Sequence, residues 1–421
     1  MQLYTYAIIG NSAAGIATVE GIRKRDLNGT IAVISKEGGG IYSRPMLSHF
    51  LSGKIPEEKL NFRQDDFYVR NGVDTFLGKA VAQVDPSKNR LQLTDGEEIY
   101  FEKLMIASGA HAQRPGMPGS LLKNVFTLHN RQDAKDISEA AVPGLKTAVL
   151  GGGPVGMGAI QALKIRGLDV TLLISSGRIM SQLFDDEGSE IIRERIERNG
   201  IKVQFNTTAL EILGKDKVMG MRLEDGSEIP CDLVVFCKGV VPNKDIVQAT
   251  EIQVLRGIRV DSRMRTNIPN IYAAGDVADA PDVIFGGWSN YAIWPNASEE
   301  GRIAGENMAG GEVEYAGGMA MNSVNVFGLP MMVMGTVRPK DRSGVSFMRS
   351  GSGEQYKCIT LKEDRIIGTL LVGKVGNAGV YSMLIKRRVD ISTVRGILLS
   401  DDFDRGKLID QGVIDEKDNI L

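Results

Sequence analysis

Two glycine-rich segments, GNSAAG and GGGPVG, have the residue types and the spacing of turns that bind the pyrophosphate of a dinucleotide. In a G-x-G-x-x-G turn the backbone amides approach the pyrophosphate, and its negative charge lies at the N-terminus of the following helix. Each segment follows an apolar strand pattern and precedes a helical one, so two dinucleotide sites are predicted. The residues of the two turns are Gly10, Ser12, Ala13, Ala14 and Gly15, and Gly151, Gly153, Pro154, Val155 and Gly156.

The residue expected to bind the ribose hydroxyls differs between the two halves of the chain. In dinucleotide sites an acidic side chain about 20 residues after the glycine turn accepts hydrogen bonds from these hydroxyls. Glu37 holds this place in the first half, whereas the second half has Ser175 there, with Arg178 nearby. Without an acidic side chain at this position, no negative charge would repel the 2′-phosphate of NADP(H). Arg178 would either bind that phosphate or be a solvated surface charge. The sequence therefore leaves NAD(H) and NADP(H) open as ligands of the second turn.

A third candidate lies in NIYAAGDVADAP, where a short apolar strand ends at Gly275 and is followed by Asp276. A carboxylate just past the carboxyl end of a strand can accept a hydrogen bond from a polyol ligand. The alternative is an aspartate that caps a helix, and the two roles are compatible. Asp276 is therefore a predicted ligand-binding residue.

The elements that must position these residues are repeated along the chain. A strand, a helix and a second strand are predicted at residues 5–9, 13–25 and 30–35. The same order is predicted again: a strand at residues 147–150, a helix that follows the second glycine turn and ends at about residue 166, and a strand at residues 169–174. Residues 91–109 also align without gaps with residues 221–239, each as a hairpin with an Asp-Gly turn followed by an apolar strand that ends at glycine. Two homologous nucleotide-binding halves explain both repeats.

The pattern changes after residue 317, where short strand patterns such as QYKCITLK and RIIGTLLVG precede the helical pattern AGVYSMLIKRR. This indicates a separate α+β tail. The predicted fold class is therefore α/β, with two Rossmann-like nucleotide-binding domains and a C-terminal α+β domain.

Composition excludes several other classes of protein. The 421 residues include 50 basic and 52 acidic ones, so the charge does not indicate binding to nucleic acid or to an anionic membrane. No segment has the pattern of a targeting sequence or of a membrane span, and a cytoplasmic protein is expected. The three cysteines, Cys231, Cys237 and Cys358, form no close pair, which makes an iron-sulfur cluster, a zinc site or any other metal site unexpected.

Five motifs in this order resemble those of the pyridine nucleotide-disulfide oxidoreductase superfamily over nearly the whole chain. They are GNSAAG, ASG (Ala107, Ser108 and Gly109), GGGPVG, GVVPN (beginning at Gly239) and IYAAGD. The resemblance implies an FAD-binding domain at residues 1–115 and 245–316, an inserted NAD(P)-binding domain at 116–244, and a C-terminal interface domain at 317–421. Asp276 would then bind the FAD ribitol or pyrophosphate, and Glu37 the FAD ribose.

The segment IYSRPMLSHF, residues 41–50, lies against the flavin in this superfamily and carries the redox cysteines of disulfide reductases. Here Pro45, preceded by Arg44, stands where peroxide- or oxygen-reducing relatives have a cysteine. The pattern Y-x-R-P-x-L-S resembles reductases of ferredoxin and rubredoxin, and GNSAAGIATVEGIR resembles flavoprotein subunits of larger enzymes such as phenylglyoxylate dehydrogenase and the flavoprotein associated with carbon monoxide dehydrogenase. The resemblance implies that electrons pass from NAD(P)H to FAD and then singly to an iron-sulfur protein or partner subunit, within a homodimer or a larger complex.

The sequence departs from these reductases at two positions that form a lysine-glutamate pair near the flavin. His49 replaces the lysine and Gly158 the glutamate. One hypothesis is that protonated His49 stabilises the reduced flavin, and the alternative is a structural or surface histidine. Trp294 and Pro295 align with residues at the edge of the flavin ring, where Trp294 could equally be a core or partner-facing aromatic residue.

Two other functions remain open at this point. A free-standing NAD(P)H oxidase without a cysteine at position 45 would release peroxide, and a nucleotide-binding interaction subunit would show little turnover. The missing lysine-glutamate pair is compatible with the second alternative.

Overall fold

The computed structural model describes residues 2–415 of the chain. Residue 1, at the start of the expected FAD-binding domain, and residues 416–421, at the end of the expected C-terminal domain, lie outside the described residues. No helix in residues 2–415 is both long and apolar enough to cross a membrane.

The strands, in chain order, are β1 Gln2–Ile9, β2 Ile31–Ser35, β3 Val73–Leu77, β4 Val81–Asp85, β5 Arg90–Leu93, β6 Glu98–Ile106, β7 Ala110–Ala112, β8 Val125–Thr127, β9 Lys146–Leu150, β10 Asp169–Leu173, β11 Lys202–Gln204, β12 Ala209–Gly214, β13 Val218–Leu223, β14 Glu228–Pro230, β15 Leu233–Phe236, β16 Val240–Pro242, β17 Ile258–Arg259, β18 Ile271–Ala273, β19 Ala278–Pro281, β20 Trp288–Ser289, β21 Met321–Val326, β22 Leu329–Gly335, β23 Val345–Ser352, β24 Gln355–Lys362 and β25 Arg365–Val372.

The α-helices are α1 Ala13–Arg23, α2 Leu47–Leu51, α3 Phe67–Arg70, α4 Arg131–Ala140, α5 Pro154–Ile165, α6 Asp186–Arg198, α7 Trp294–Met308, α8 Ala378–Lys386 and α9 Arg405–Asp410. Short 3-10 helices cover Arg44–Met46, Glu57–Leu60, Pro86–Lys88, Asp245–Val247, Gly275–Val277 and Arg395–Ile397.

The chain divides into two compact units. The first comprises Met1–Met46, Pro56–His111 and Val240–Met319, and the second comprises Leu47–Ile55, Ala112–Gly239 and Ala320–Leu421. Both units contain a parallel sheet with flanking helices, which confirms the expected α/β class.

The first unit is built on a sheet in which β3, β2, β1, β6 and β18 are adjacent and parallel. The central strands are apolar and buried at residues 6–9, 31–34, 104–106 and 271–273, as is typical of strands inside a parallel sheet. In the register, Ile9 of β1 lies opposite Ile34 of β2 and Ile106 of β6. The carboxyl ends of the central strands therefore lie along one edge, which is where ligands bind in sheets of this kind.

The second unit contains a five-stranded parallel sheet in the order β11, β10, β9, β15, β8. Leu150 of β9 lies opposite Leu173 of β10 and Phe236 of β15, so the ends of these strands are also aligned. A separate antiparallel sheet, β21-β22-β25-β24-β23, forms the tail, and α8 packs against β22 and β25. This is the α+β tail expected from the sequence.

The two aligned repeats differ in one respect. In the first, β6 runs without a break from the hairpin into the parallel sheet, whereas in the second the chain forms two strands, β14 and β15, in different sheets. Pro230 stands at the position of Tyr100 in the middle of β6. Because proline has no backbone N–H and is confined to strand edges, the strand ends there.

Helix α7 begins at Trp294. Pro295 lies in its first turn, where the fixed φ of proline favours a helix start and its missing N–H costs nothing.

Candidate functional site

The first glycine turn connects β1 to α1 by two close backbone approaches. Gly10 has φ of +119°, and a Cβ on it would lie 2.0 Å from the carbonyl oxygen of Ala107. A Cβ on Gly15 would lie 2.0 Å from the carbonyl oxygen of Gly10. Ser12, by contrast, is in the extended conformation with φ of −127°, which any residue adopts. A side chain is therefore tolerated at the middle position of this turn but at neither end.

The second turn, between β9 and α5, repeats this arrangement. Gly151 has φ of +124°, and its Cβ would lie 2.2 Å from the carbonyl oxygen of Cys237, while a Cβ on Gly156 would lie 2.0 Å from the oxygen of Gly151. Cys237 is the residue that the sequence repeat aligns with Ala107. The two halves thus share the turn and the strand end that packs against it.

Both turns leave the N-terminus of the next helix without a side-chain cap. The N-cap residue is Ser12 in α1 and Gly153 in α5. The Ser12 side chain makes no capping hydrogen bond, and glycine has no side chain to make one. The first turn of each helix also contains no acidic residue. A Cβ on Gly153 would meet no atom within 4 Å, so the backbone there is open to a close approach. Because helix N-termini with free amides favour anions, both turns fit a pyrophosphate group. Pro154 and Val155 are exposed at the start of α5.

Three predicted residues of the first unit form a charged group. The Arg44 guanidinium donates a hydrogen bond to the Glu37 carboxylate, and the Tyr42 hydroxyl donates one of 2.6 Å to the same carboxylate. Burial raises the pKa of Asp276, and the charge of Arg44 opposes that rise. Arg44 therefore interacts electrostatically with both carboxyl groups proposed to bind FAD.

The backbone of the Gly275–Asp276 turn is held by two side chains that the sequence did not single out. Glu300 accepts a hydrogen bond of 2.8 Å from the amide of Gly275. The Asn290 Nδ2 donates to the carbonyl oxygens of Asp276, at 3.0 Å, and Ala278, at 2.7 Å. Neither residue was among the site residues predicted from the sequence, although both lie in residues 286–310, a segment that resembles the family's segment near the flavin.

The ASG and GVVPN motifs are joined by Asn243. The Ser108 Oγ donates to the Asn243 carbonyl oxygen at 2.8 Å, and the Asn243 Nδ2 donates to the Ser108 carbonyl oxygen at 2.8 Å. The Asn243 amide donates to the carbonyl oxygen of Gly109 at 2.9 Å. These hydrogen bonds give the GVVPN motif a structural role, the attachment of its segment to the ASG motif, which the sequence did not predict. Gly109 and Gly239 both have positive φ, with open space where a Cβ would stand.

The remaining predicted residues of the first unit lie in the first turns of three helices. Pro45 is exposed within the 3-10 helix Arg44–Met46. Trp294 begins α7 and packs edge to face on Phe62, with ring centroids 4.9 Å apart, while Pro295 is exposed. Ala13 and Ala14 are buried in the first turn of α1.

In the second unit, the residue that faces Gly158 is Ser48 and not His49. A Cβ on Gly158 would lie 2.9 Å from the Cβ of Ser48. His49 is exposed, and its carbonyl oxygen accepts a hydrogen bond of 2.8 Å from the Ser52 Oγ. The two sequence departures therefore do not face each other, because α2 presents its serine to α5.

The segment that follows β10 contains a cation that is already paired. Arg178 forms an ion pair with Asp186 and donates a hydrogen bond of 3.2 Å to the carbonyl oxygen of Ser181. Arg338 also pairs with Asp186, at 2.9 Å. Ser175 is exposed beside this group. A 2′-phosphate would have to compete with Asp186 for Arg178.

Lys238, which sequence reasoning missed, follows β15 next to Gly239. It is half-buried, and within residues 2–415 its ammonium has no ion pair or hydrogen bond. Burial lowers its pKa. A cation at the carboxyl end of this sheet is placed to attract an anionic nucleotide.

The cysteines have no features of reactive thiols. Burial raises the pKa of Cys231, Cys237 and Cys358 to about 12 each, so all three are protonated at neutral pH. In the described part of the chain, no three histidine, cysteine or acidic side chains are grouped as metal ligands.

Comparison with known proteins gives two family matches. Residues 4–301 match the family described as pyridine nucleotide-disulphide oxidoreductase, and residues 321–389 match the rubredoxin NAD+ reductase C-terminal domain. These matches confirm the resemblance found in the motifs.

Individual relatives cover almost the whole chain. The NADH-dependent phenylglyoxylate dehydrogenase subunit epsilon of Aromatoleum evansii is 30% identical over 407 residues, which are 96% of this chain and 96% of that protein. The rubredoxin-NAD(+) reductase of Pseudomonas putida is 27% identical over 381 residues, covering 90% and 98%. The crystal structure of NADH:rubredoxin oxidoreductase from Clostridium acetobutylicum superposes with a TM-score of 0.77 at 25% identity, covering 94% and 98%.

The fold, the two anion-binding turns and these matches agree. The chain belongs to the pyridine nucleotide-disulphide oxidoreductase family and is an oxidoreductase that uses FAD and a nicotinamide nucleotide.

Proposed function

We propose that this protein transfers electrons between NAD(P)H and an iron-sulfur protein or partner subunit by way of bound FAD, without a redox disulfide. The observation that carries the proposal is Pro45, in the place where peroxide- or oxygen-reducing relatives have a cysteine, together with three cysteines whose raised pKa makes them inert. Thiol chemistry is thus not supported at this segment, and electrons must leave the flavin directly.

FAD is assigned to the first turn and its neighbours. Gly10, Ser12 and Gly15 would place amides against its pyrophosphate, and Glu37 and Asp276 would accept hydrogen bonds from its hydroxyl groups. The other residues assigned to FAD are Ala13, Ala14, Arg44, Pro45, Ala107, Ser108, Gly109, Gly275, Trp294 and Pro295. On this assignment the FAD-binding domain comprises residues 1–115 and 245–316.

The nicotinamide nucleotide is assigned to the second turn, in a domain at residues 116–244, with a C-terminal interface domain at 317–421. Gly151, Gly153 and Gly156, with Pro154 and Val155, would hold its pyrophosphate at the N-terminus of α5. Ser175, Arg178 and Gly239 would border the remainder of the nucleotide. Because Asp186 already pairs with Arg178, this arrangement favours NADH over NADPH.

FAD, when bound, accepts a hydride from the nicotinamide and releases the electrons one at a time. The chain contributes position and charge, since hydride transfer needs little acid-base machinery. The N-terminus of α7 has no side-chain cap and would favour negative charge in front of it. His49 is proposed to add a positive charge beside the cofactor when it is protonated.

The electron acceptor or donor must provide its own metal cluster, because residues 2–415 contain no suitable group of ligands. The relatives named rubredoxin reductase and NADH-dependent dehydrogenase subunit support an iron-sulfur partner, either free or within a complex. We place this reaction in the cytoplasm, in a homodimer or an enzyme complex.

The test is turnover with a defined acceptor. The FAD-loaded protein is mixed anaerobically with NADH and an oxidised rubredoxin or ferredoxin, and the visible band of the acceptor is followed. Reduction of the acceptor, with slow oxygen consumption in a parallel aerobic sample, is the expected result. Rapid oxygen consumption with peroxide release would indicate an oxidase instead, and no reduction of any acceptor would indicate a nucleotide-binding subunit.

A further inference from the structure

Helix α7 contains two buried glutamates in opposite electrostatic surroundings. Glu300 is 5% exposed and Glu306 is 2% exposed. A buried carboxylate is costly unless cations or hydrogen bonds compensate its charge, and otherwise the group retains its proton. The neighbours of each residue therefore decide its charge.

Glu306 is surrounded by cations. It pairs with Lys24 at 3.1 Å, with Arg25 at 3.2 Å and with Arg302 at 2.5 Å. Burial alone would raise the pKa of Glu306, but these cations lower it below its ordinary value. Glu306 is thus an ionised glutamate at neutral pH.

Glu300 has no such neighbours. Among the described residues no lysine or arginine pairs with it, and its one hydrogen bond of good geometry comes from the Gly275 amide. The charged or titratable groups that influence it are Asp276, Glu299 and Tyr315. Burial raises the pKa of Glu300 to about 8, the charges of Asp276 and Glu299 add to the rise, and the Gly275 amide and the Tyr315 hydroxyl oppose it without cancelling it.

Within residues 2–415, the other surfaces around Glu300 bring no compensating positive charge. On the side of α1, the helices meet so closely that a Cβ on Gly301 would lie 2.2 Å from the carbonyl oxygen of Ala14. The Tyr315 hydroxyl is buried near Glu300, yet no atom in residues 2–415 pairs with it in good hydrogen-bond geometry. The positive charge of Arg44 acts on Asp276 instead.

We infer that Glu300, in its neutral protonated form, is a positioning residue that holds the Gly275–Asp276 turn for FAD, and that FAD binding weakens when Glu300 loses its proton. The inference rests on the proposed function in one respect, the assignment of Asp276 to FAD. A neutral carboxyl group can accept the Gly275 N–H bond without adding charge. An ionised one would place a second negative charge beside Asp276, next to a cofactor whose pyrophosphate is itself anionic.

The direction of the pH effect follows from linkage. Because bound FAD brings negative charge, it favours the protonated form of Glu300, so protonation and FAD binding reinforce each other. As the pH rises past the point where the FAD-free protein loses this proton, FAD affinity falls, by at most about tenfold for each pH unit. Glutamine at this position keeps the acceptor oxygen for Gly275 and cannot ionise.

The experiment measures FAD affinity against pH. FAD is removed from the purified protein, and its dissociation constant is determined by flavin fluorescence between about pH 6 and about pH 10 for the wild type, Glu300→Gln and Glu306→Gln. We expect the dissociation constant of the wild type to rise at least several-fold above about pH 8, that of Glu300→Gln to stay flat, and that of Glu306→Gln to follow the wild type. Glu306→Gln is the matched control, because it changes the other buried glutamate of the same helix.

A spectroscopic measurement covers the case in which Glu300→Gln does not fold. The infrared difference spectrum of the wild-type protein between about pH 7 and about pH 10 should show loss of the carbonyl band of a buried protonated carboxyl group. Absence of this band, or a wild-type FAD affinity with the same pH dependence as that of Glu300→Gln, would overturn the inference. A wild-type protein that binds no FAD at any pH would contradict the proposed function instead.

Discussion

Gly158 of α5 lies so close to Ser48 of α2 that a Cβ on the glycine would be 2.9 Å from the serine Cβ. Real Cβ atoms essentially never approach a neighbour within 3.0 Å, so a side chain at position 158 requires the helices to move. The glutamate expected at this position from the resemblance would not fit between the helices as they stand. Gly158 thus allows the close packing of α2 against α5.

Substitution of Gly158 tests this packing. Alanine in a helix is about 1 kcal/mol more favourable than glycine, but overpacking costs roughly 1–3 kcal/mol, so we expect Gly158→Ala to lower the free energy of unfolding. Chemical denaturation measures the change. The double variant Ser48→Gly/Gly158→Ala should recover part of the loss, and a single variant more stable than the wild type would contradict the close approach.

The two glycine turns should have separable effects on the two cofactors. Alanine at Gly10 or Gly151 forces a backbone shift, because each Cβ would meet a carbonyl oxygen at 2.0 or 2.2 Å. We expect Gly10→Ala to purify with little FAD, and Gly151→Ala to keep FAD but lose at least tenfold in nicotinamide nucleotide affinity. Gly96→Ala is the control for strain alone, since Gly96 has φ of +89° with open space around it. Equal loss of FAD in both variants would contradict the assignment.

The pairing of Arg178 predicts how nucleotide preference can be changed. Asp186 is exposed and holds both Arg178 and Arg338. We expect Asp186→Asn to lower the KM for NADPH several-fold and to leave the KM for NADH nearly unchanged, because it frees a guanidinium for the 2′-phosphate. In the double variant Arg178→Ala/Asp186→Asn the gain should disappear. An equal effect on both nucleotides would show that Arg178 does not approach the 2′-phosphate.

The two glutamates of α7 should have opposite effects on the pH dependence of stability. The pKa of Glu300 is raised from 4.5 to about 8, so the native state binds this proton more tightly than the unfolded chain does. Its contribution is fully present below about pH 4.5 and is lost as the pH rises to about 8, at up to about 1.4 kcal/mol for each pH unit. Glu300→Gln should remove this slope.

Glu306 has a lowered pKa, so its contribution is present above the ordinary value of 4.5 and is lost as the pH falls. Glu306→Gln should therefore destabilise the protein at neutral pH and flatten the acid side of the profile. Denaturation of both variants at several pH values makes the comparison, and identical profiles would contradict the assigned charge states.

Local sequence patterns predicted the elements that form the two turns. Glycine spacing and apolar strands located β1, α1, β9 and α5 because these features depend on short-range geometry. The gap-free repeat even aligned Ala107 with Cys237, the two residues whose carbonyl oxygens pack on the first glycine of each turn. One proline, Pro230, decided where the second copy of the strand had to break.

Contacts between distant segments could not be predicted in this way. The bond between Glu300 and Gly275 joins residues 25 positions apart, and the bonds between Asn243 and Ser108 span 135 positions. Nothing in the local pattern of α2 indicated that Ser48 and not His49 faces Gly158. Burial and partner choice at these positions are set by tertiary packing, which a single sequence does not display.

The hydride step into FAD is tested most directly by anaerobic stopped-flow spectroscopy of the FAD-loaded protein. It is mixed with NADH and, separately, with NADPH, and bleaching of the flavin band is followed. Fast bleaching by NADH, with slower bleaching by NADPH, is the predicted result. No bleaching by either nucleotide, with FAD bound, would contradict the assignment of this chain as an electron-transferring NAD(P)H oxidoreductase.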